Sequence, residues 1–283
     1  MRFVSHAGIA PARSRRFPLS GPDAMKSGFR IPVRWLAGAG SFLCVFAAWY
    51  LVTEVFHLVR PIQFPSPLDV CDSFLRIARR GYAGGTLLQH VVESTRLVLL
   101  GFLLAVVTGV PLGLLMGRSE AANAYINAMF QVIRPIAPIA WIPLTIIWFG
   151  LGIAAKLFVV WLAAFAPVLI NTSTGAKTIN PTLIAAARAH GATPRWILTD
   201  VVIPGAMPSI FTGLRVSFQA CWMVLVAAEL VGSFVGLGHI MIIATRDLDP
   251  GMIAVAMICI ALLGVSFSLL LSLLEHWVIP WRR

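Results

Sequence analysis

The segment that decides the fold covers residues 180–204, NPTLIAAARAHGATPRWILTDVVIP, and lies between long apolar runs. Asn180 is a favourable N-cap, Pro181 suits a first helical position, and Gly191 follows the end of a short helix over residues 183–190. The same start signal then recurs at Thr193 and Pro194. The pattern predicts a helix, a tight turn and a second helix.

The second helix is expected over residues 195–203, with Pro204 blocking its continuation. Small side chains keep the first helix slim at Ala185, Ala186 and Ala187, which lets another surface approach its backbone closely. A simple connection between two membrane spans needs no such caps. We therefore interpret the hairpin as a docking element for a separate protein; the alternative is an ordinary helical hairpin that lies on the membrane.

The whole chain is too apolar to be a water-soluble domain. Hydrophobic residues make up 59% of its 283 residues, charged residues only 12%, and the mean hydropathy is +0.87. A helix needs about 20 mainly apolar residues to cross the hydrocarbon core. Runs of about that length cover residues 36–56, 97–117, 129–149, 151–170, 214–235 and 252–274. The sequence predicts an all-α, polytopic membrane protein with six transmembrane helices.

The distribution of Lys and Arg predicts the orientation. Most of the 22 basic residues fall inside if both termini and the hairpin are cytoplasmic. Residues 1–34 are expected to form a disordered, basic cytoplasmic tail, and residues 35–283 the transmembrane domain, with 180–204 as its cytoplasmic loop. The net charge of +11 follows from this topology and from attraction to anionic lipid, so it does not indicate nucleic-acid binding.

Catalytic and metal-binding motifs are missing from the sequence. A phosphate-binding loop needs Gly directly before its Lys, and Lys26, Lys156 and Lys177 each follow another residue type. The six His residues form no i, i+4 pair and the four Cys residues form no CxxC motif. We expect a protein that is not an enzyme and that binds no metal or cofactor of its own.

Two apolar runs carry patterns that suggest specific roles. Gly109, Gly113 and Gly117 form a small-residue stripe, which we interpret as an internal helix-packing seam and only secondarily as a dimer contact. In the third run, prolines interrupt the helical hydrogen bonds and large aromatic rings are frequent. We therefore consider Pro138 and Trp141 candidate pathway residues; the alternative for the aromatic rings is a position at the lipid interface.

Glu229 is the acidic residue placed well inside a predicted span. Intramembrane carboxylates are costly and usually face the bundle interior, so a pathway role is one hypothesis, with Arg134, Arg215 or Arg96 as its partner. The alternative is a structural role, in which the carboxylate joins neighbouring helices by hydrogen bonds. The sequence leaves both open, with Arg134 itself a further pathway candidate.

The hairpin also carries a family resemblance. Ala185, Ala186, Ala187 and Gly191, followed by Val201, Ile203 and Pro204, resemble the EAA loop of bacterial ABC importer permeases, with Ala185 at the position of the motif's Glu. The stretches RPIAPIAWIPLTIIWFG, PSIFTGLRV, VAAEL and GLGHIM are similar to the taurine, sulfonate and nitrate branch of type I importers. The similarity covers roughly residues 65–274.

The resemblance implies a permease subunit of the bacterial inner membrane that imports a small solute. It further implies a homodimer of the permease, a cytoplasmic ABC ATPase dimer that docks on the hairpin and holds ATP and Mg, and a periplasmic solute-binding protein. The hairpin residues named above would couple ATP hydrolysis to transport.

Other classes of protein fit the sequence less well. A secondary transporter would need its own coupling-ion site and often shows internal repeats. An intramembrane enzyme would need a convergent catalytic set. A DNA-binding helix-turn-helix unit would be a poor reader of DNA between two spans, with only Arg188 and Arg195 on it.

Overall fold

The structure is a computed structural model that describes residues 33–56, 60 and 63–280. Nearly all of the predicted tail, residues 1–34, lies outside the described residues, as do residues 281–283. Every regular element in the described ranges is helical, which confirms the predicted all-α class.

The elements are, in chain order, α1 (Val33–Tyr50), a π-helical turn (Leu51–Val55), α2 (Pro67–Arg80), α3 (Leu87–Arg118), α4 (Glu120–Ile133), a 3₁₀ turn (Pro138–Trp141), α5 (Ile142–Phe149), α6 (Ile153–Lys177), α7 (Pro181–Ala189), α8 (Pro194–Trp196), a second π-helical segment (Ile197–Val202), α9 (Ile203–Gly232), α10 (Leu237–Arg246) and α11 (Pro250–Val278).

Within the described residues, four helices are long and apolar enough to cross a membrane, or five if a bent pair counts as one span. The four are Leu87–Arg118, Ile153–Lys177, Pro194–Gly232 and Pro250–Val278. They contain or overlap the predicted second, fourth, fifth and sixth spans. At the first, the described part offers a shorter apolar helix, Leu43–Val55. The structure thus supports several membrane helices but not the count of six.

The predicted third span, residues 129–149, is not one straight helix. α4 ends at Ile133, and the following Pro138–Phe149 segment is inclined to it by 77°. Pro135 and Pro138 explain the break, because a proline lacks the N–H that a continuing helix needs and disfavours the helical conformation of the residue before it.

The prediction that Pro204 ends the second hairpin helix is wrong. Helical structure runs without interruption from Pro194 to Gly232, over 39 residues. The turn at Ile197–Val202 is π-helical, so the backbone is locally wider just before the proline. Pro204 lies in the first turn of α9, where a missing N–H is tolerated. The second helix of the hairpin and most of the fifth predicted span therefore form one continuous helix.

α6 lies between α3 and α9 and packs closely against both. A Cβ added at Gly101, Gly109 or Gly113 of α3 would lie 2.5–2.9 Å from Val160, Val168 or Thr172 of α6. The contacted residue of α6 moves forward along the chain by as many positions as the glycine of α3 does. The two helices therefore run parallel. The stripe predicted from Gly109, Gly113 and Gly117 thus faces α6 within the same chain.

α9 runs antiparallel to α6, and glycines again allow the two helices to approach closely. A Cβ added at Gly175 of α6 would lie 2.6 Å from Ser209 Cβ, and one added at Gly213 of α9 would lie 2.7 Å from Asn171 Cβ. Small residues therefore allow close approach on both sides of α6. Below, the hairpin end means the end of α3, α6 and α9 near Arg118 and Lys177, and the opposite end is the other one.

Candidate functional site

The hairpin, α7 to α8, begins and turns as its sequence predicts. The Asn180 side chain accepts a hydrogen bond from Thr182 N at 2.9 Å, and Thr193 Oγ1 accepts one from Trp196 N at 3.3 Å. Gly191 has a φ of +82°, a left-handed conformation that favours glycine. Its N–H donates to Arg188 O at 2.9 Å. The turn is thus fixed by local hydrogen bonds.

The hairpin has an apolar inner face and an open outer face. Ile197, Val202 and Ala176 form a buried cluster that joins the hairpin to the end of α6. On the outer side, the hairpin cleft has a volume of about 610 Å³. Its lining includes Ala186, Ala187, His190, Gly191, Thr193 and Trp196. Trp196 remains 51% exposed, so the rim of this cleft carries a large apolar ring that is accessible to another protein.

The residues predicted for coupling divide between these two faces. Ala185 and Ala186 are exposed on α7, and Gly191 is exposed at the turn. Val201, Ile203 and Pro204 are half-buried, in the joint to α9. Two residues that the prediction did not include belong to these faces: Trp196 lines the cleft, and Val202 lies in the buried cluster. The sequence signal that could have identified Trp196 is its position as an aromatic residue in a short predicted helix, just after Pro194.

Glu229 is 1% exposed and is held by hydrogen bonds from two different elements. Ser94 Oγ of α3 donates to Oε1 at 2.7 Å, and Gly238 N donates to Oε2 at 2.8 Å. Ser94 Oγ in turn accepts from Leu237 N at 2.9 Å. A fourth hydrogen bond joins α3 to the residue before α10: Gly236 N donates to His90 Nδ1 at 2.9 Å. The first N–H groups of α10 are thus satisfied by side chains of α3 and α9.

The two glycines before and in α10 leave the space that the Glu229 carboxylate fills. A Cβ on Gly238 would lie 2.7 Å from Glu229 Cβ, and a Cβ on Gly236 would overlap the carboxylate itself. Gly236 also has a φ of +142°, which disfavours any other residue. The GLG sequence at 236–238 and the buried acid are therefore two parts of one arrangement, the Glu229 network.

The partners suggested for Glu229 are wrong. Arg215 pairs with Glu275 of α11, and among the described residues no hydrogen bond or ion pair joins Glu229 to Arg134 or Arg96. His90 and Ser94 were missed by sequence reasoning. Both lie on one face of α3 at i and i+4, and this spacing was the signal that could have found them.

The other pathway candidates lie on the broken segment after α4. Arg134 is exposed at the C-terminal end of α4, and Pro138 opens the 3₁₀ turn. Trp141 is half-buried, and its ring centroid lies 6.4 Å from that of Trp148. The structure does not join these residues to Glu229 in one site. Their role in a pathway stays a prediction.

A second polar cluster lies at the opposite end, between α2 and the α10–α11 turn. Arg76 of α2 pairs with Asp249, and Tyr82 Oη donates to Asp247 Oδ2 at 2.5 Å. Burial, helped by this hydrogen bond, raises the pKa of Tyr82 above its ordinary value. These contacts close the loop at the start of α11. No group of three His, Cys, Asp or Glu side chains in the part of the chain that the structure describes could hold a metal ion.

Comparison with known proteins identifies the family. Residues 109–283 match the family model described as "Binding-protein-dependent transport system inner membrane component". The chain belongs to this family. It is 33% identical to the taurine transport system permease protein TauC of Escherichia coli K12, over 86% of this chain and 88% of TauC. It is 30% identical to the bicarbonate transport system permease protein CmpB of Synechococcus elongatus, over 96% and 99% of the two chains.

A solved structure supports the fold of this transport-system component. An inward-facing structure of the MetNI methionine ABC transporter has a chain that superimposes with a TM-score of 0.56, at 22% identity, over 69% of this chain and 94% of that one. The family membership confirms the resemblance drawn from the hairpin. The chain is therefore a membrane permease component of a binding-protein-dependent ABC importer, and it is not the catalytic subunit.

Proposed function

We propose that this permease moves a small solute across the bacterial inner membrane, driven by ATP that a separate subunit hydrolyses. The solute is taurine or another sulfonate, bicarbonate, nitrate or a similar small molecule, in keeping with the relatives named for taurine and bicarbonate. Two copies of the permease form the pathway. A periplasmic binding protein delivers the solute, and a cytoplasmic ATPase dimer holds ATP and Mg.

The observation that carries this proposal is the two-faced hairpin. Its inner face is packed onto the end of α6, whereas its outer cleft, about 610 Å³ in volume, is open. An apolar cleft with an exposed Trp at its rim is the kind of surface that anchors a protein partner. Because α8 continues into α9, a partner that moves the hairpin also moves a helix of the transmembrane bundle.

The orientation follows from the distribution of basic residues: hairpin, N-terminus and C-terminus lie in the cytoplasm. The opposite end, with Arg76, Tyr82 and the α10–α11 turn, then faces the periplasm. Coupling requires that the ATPase bind one state of the permease better than the other. Closure of the ATPase dimer would supply that difference through the hairpin.

The test is co-purification of the permease with its ATPase, together with ATP-dependent uptake. Ala186→Glu places a carboxylate in the outer cleft, and Ala189→Glu places the same charge at an exposed position of α7 outside the cleft lining. We expect Ala186→Glu to lose the ATPase and Ala189→Glu to keep it. Gly191→Pro, which cannot adopt the +82° φ, should lose the ATPase as well.

Two results would overturn the proposal. One is equal ATPase binding by wild type and all three variants, each confirmed to insert in the membrane. The other is solute uptake that persists without the ATPase, which would favour a secondary transporter.

A further inference from the structure

A second cleft opens at the end of the bundle opposite the hairpin. It has a volume of about 690 Å³ and lies between the start of α3, the start of α6 and the end of α9. Its lining includes Gln89, Glu93, Gly152, Lys156, Ser233 and Phe234. We name it the opposite-end cleft. A Cβ on Gly152 would meet no atom within 4 Å, so the cleft is open at its α6 side.

This cleft carries two charges of opposite sign that are not paired with each other. Lys156 of α6 and Glu93 of α3 both line it and both are half-buried. Among the described residues the ion pairs within 4.0 Å are Arg76–Asp249 and Arg215–Glu275, so Lys156 and Glu93 are held further apart than that. A half-buried charge without a partner is costly, which makes these two side chains candidates for binding a charged group.

Lys156 is oriented by the protein but keeps hydrogen-bonding capacity. Its Nζ donates to Ser233 Oγ at 2.8 Å, and Ser233 Oγ donates to Val235 O at 2.5 Å. An ammonium group has three donors, and the described residues use one of them. The ammonium is therefore aimed by the loop after α9 while two donors remain for a bound group.

Lys156 is not simply the counter-ion of Glu229. The charges of Glu229 and Glu93 both act on Lys156. However, the two carboxylate oxygens of Glu229 already accept hydrogen bonds from Ser94 and Gly238, and Glu229 does not line the opposite-end cleft. Glu93 has no hydrogen bond or ion pair within the described part of the chain. It is the carboxylate that shares the cleft with Lys156.

We propose that the opposite-end cleft receives a small dipolar solute, with its acid group on Lys156 and its ammonium group on Glu93. The matching class is short amino acids and amino sulfonates, in which opposite charges are separated by a few bonds. This inference rests on the proposed function, because the cleft faces the periplasm only in the orientation given above. A plain anion such as bicarbonate would use Lys156 and leave Glu93 unpartnered.

The transport test measures taurine uptake by the permease reconstituted with its ATPase and binding protein. Lys156→Gln and Glu93→Gln should each raise the KM for uptake by roughly tenfold or more, because each removes a charge-assisted hydrogen bond. Lys156→Arg should restore most of the affinity. The control is Lys177→Gln at the hairpin end, whose Nζ donates to Asn123 Oδ1 at 2.7 Å.

A second test reads the charge of the cleft without reference to transport. Phe234 lines the cleft and is 81% exposed, so Phe234→Cys is an accessible reporter. It is placed in a background that lacks the native cysteines, Cys44, Cys71, Cys221 and Cys259. Its labelling rates are measured with an anionic ethylsulfonate and a cationic trimethylammonium methanethiosulfonate. Lys156→Gln should lower the anionic-to-cationic rate ratio, Glu93→Gln should raise it, and Lys177→Gln should leave it unchanged.

The outcomes separate this proposal from the proposed function. The proposed function is contradicted if the wild type shows no uptake that depends on the ATPase and binding protein. In that case the labelling ratios alone test the charges of the cleft. Wild-type taurine uptake that is indifferent to both cleft variants overturns the inference and leaves the proposed function standing. Bicarbonate uptake that needs Lys156 but not Glu93 overturns the dipolar assignment. Labelling ratios that neither variant changes also overturn it.

Discussion

Gly117 is the position at which adding one methyl group, by substitution with Ala, should push α3 away from α6. A Cβ added there would lie less than 3.0 Å from Ala176 Cβ and 3.1 Å from Ser173 O. Carbon atoms pack best at about 3.5–4.0 Å, so the helices must separate by about 1 Å or more, which costs about half or more of each affected contact. Overpacking of this kind costs about 1–3 kcal/mol. The better helix propensity of Ala offsets up to about 1 kcal/mol.

We therefore expect Gly117→Ala to lower the free energy of unfolding by about 1–2 kcal/mol. Gly264→Ala in α11 is the matched control, because its added Cβ meets no atom within 4 Å. That variant should be neutral or more stable by up to about 1 kcal/mol. Thermal unfolding of the purified protein in one detergent measures both variants.

The compensating variant is Ala176→Gly, which removes the methyl group that the new Cβ would meet. Combined with Gly117→Ala it moves the small residue from α3 to α6 and should recover about 1 kcal/mol or more relative to the sum of the single changes. Additive effects of the two substitutions would refute the reasoning. So would a Gly117→Ala variant as stable as the Gly264→Ala control.

The remaining predictions concern the Glu229 network and the loop before α3. Glu229→Ala leaves Ser94 and Gly238 N without their buried acceptor, so it should lower the free energy of unfolding by about 2–5 kcal/mol. Glu229→Gln should lower it less. Equal thermal midpoints for wild type and the Ala variant would contradict this. The pKa of Tyr82 is raised, so the bond to Asp247 should stabilise the fold below pH 10 or so and fade as pH rises further. Tyr82→Phe should be less stable at pH 7 by about 1 kcal/mol and lack that alkaline loss in pH-dependent thermal unfolding; an identical alkaline loss would count against it.

Local signals in the hairpin predicted its structure well. The caps at Asn180 and Thr193 and the turn at Gly191 depend on hydrogen bonds and dihedral angles within a few residues, so neighbouring sequence determines them. The sequence mispredicts the end of the second helix, because a proline within a helical pattern usually ends the helix. The π-helical segment over Ile197–Val202 places that proline where a helix tolerates it. No local sequence pattern predicts this wider turn of the backbone.

Contacts between distant helices were harder to predict. Glu229 can be singled out from the sequence, because an acid within an apolar run is conspicuous, yet its partners lie on α3 and at the start of α10. Charge alone suggested arginines, whereas a serine hydroxyl and a backbone N–H hold the carboxylate. The glycine stripe gave the packing face of α3, but only the structure shows that α6 of the same chain covers it.

The continuous helix from Pro194 to Gly232 has a genetic consequence. At its start it carries Trp196 of the hairpin, and near its end Glu229. One inserted or deleted residue between them would rotate one end against the other by about 100° and shift it by about 1.5 Å. Either the Trp would leave the outer cleft or the acid would leave Ser94. The stretch between them should therefore tolerate many substitutions but resist every single-residue change in length.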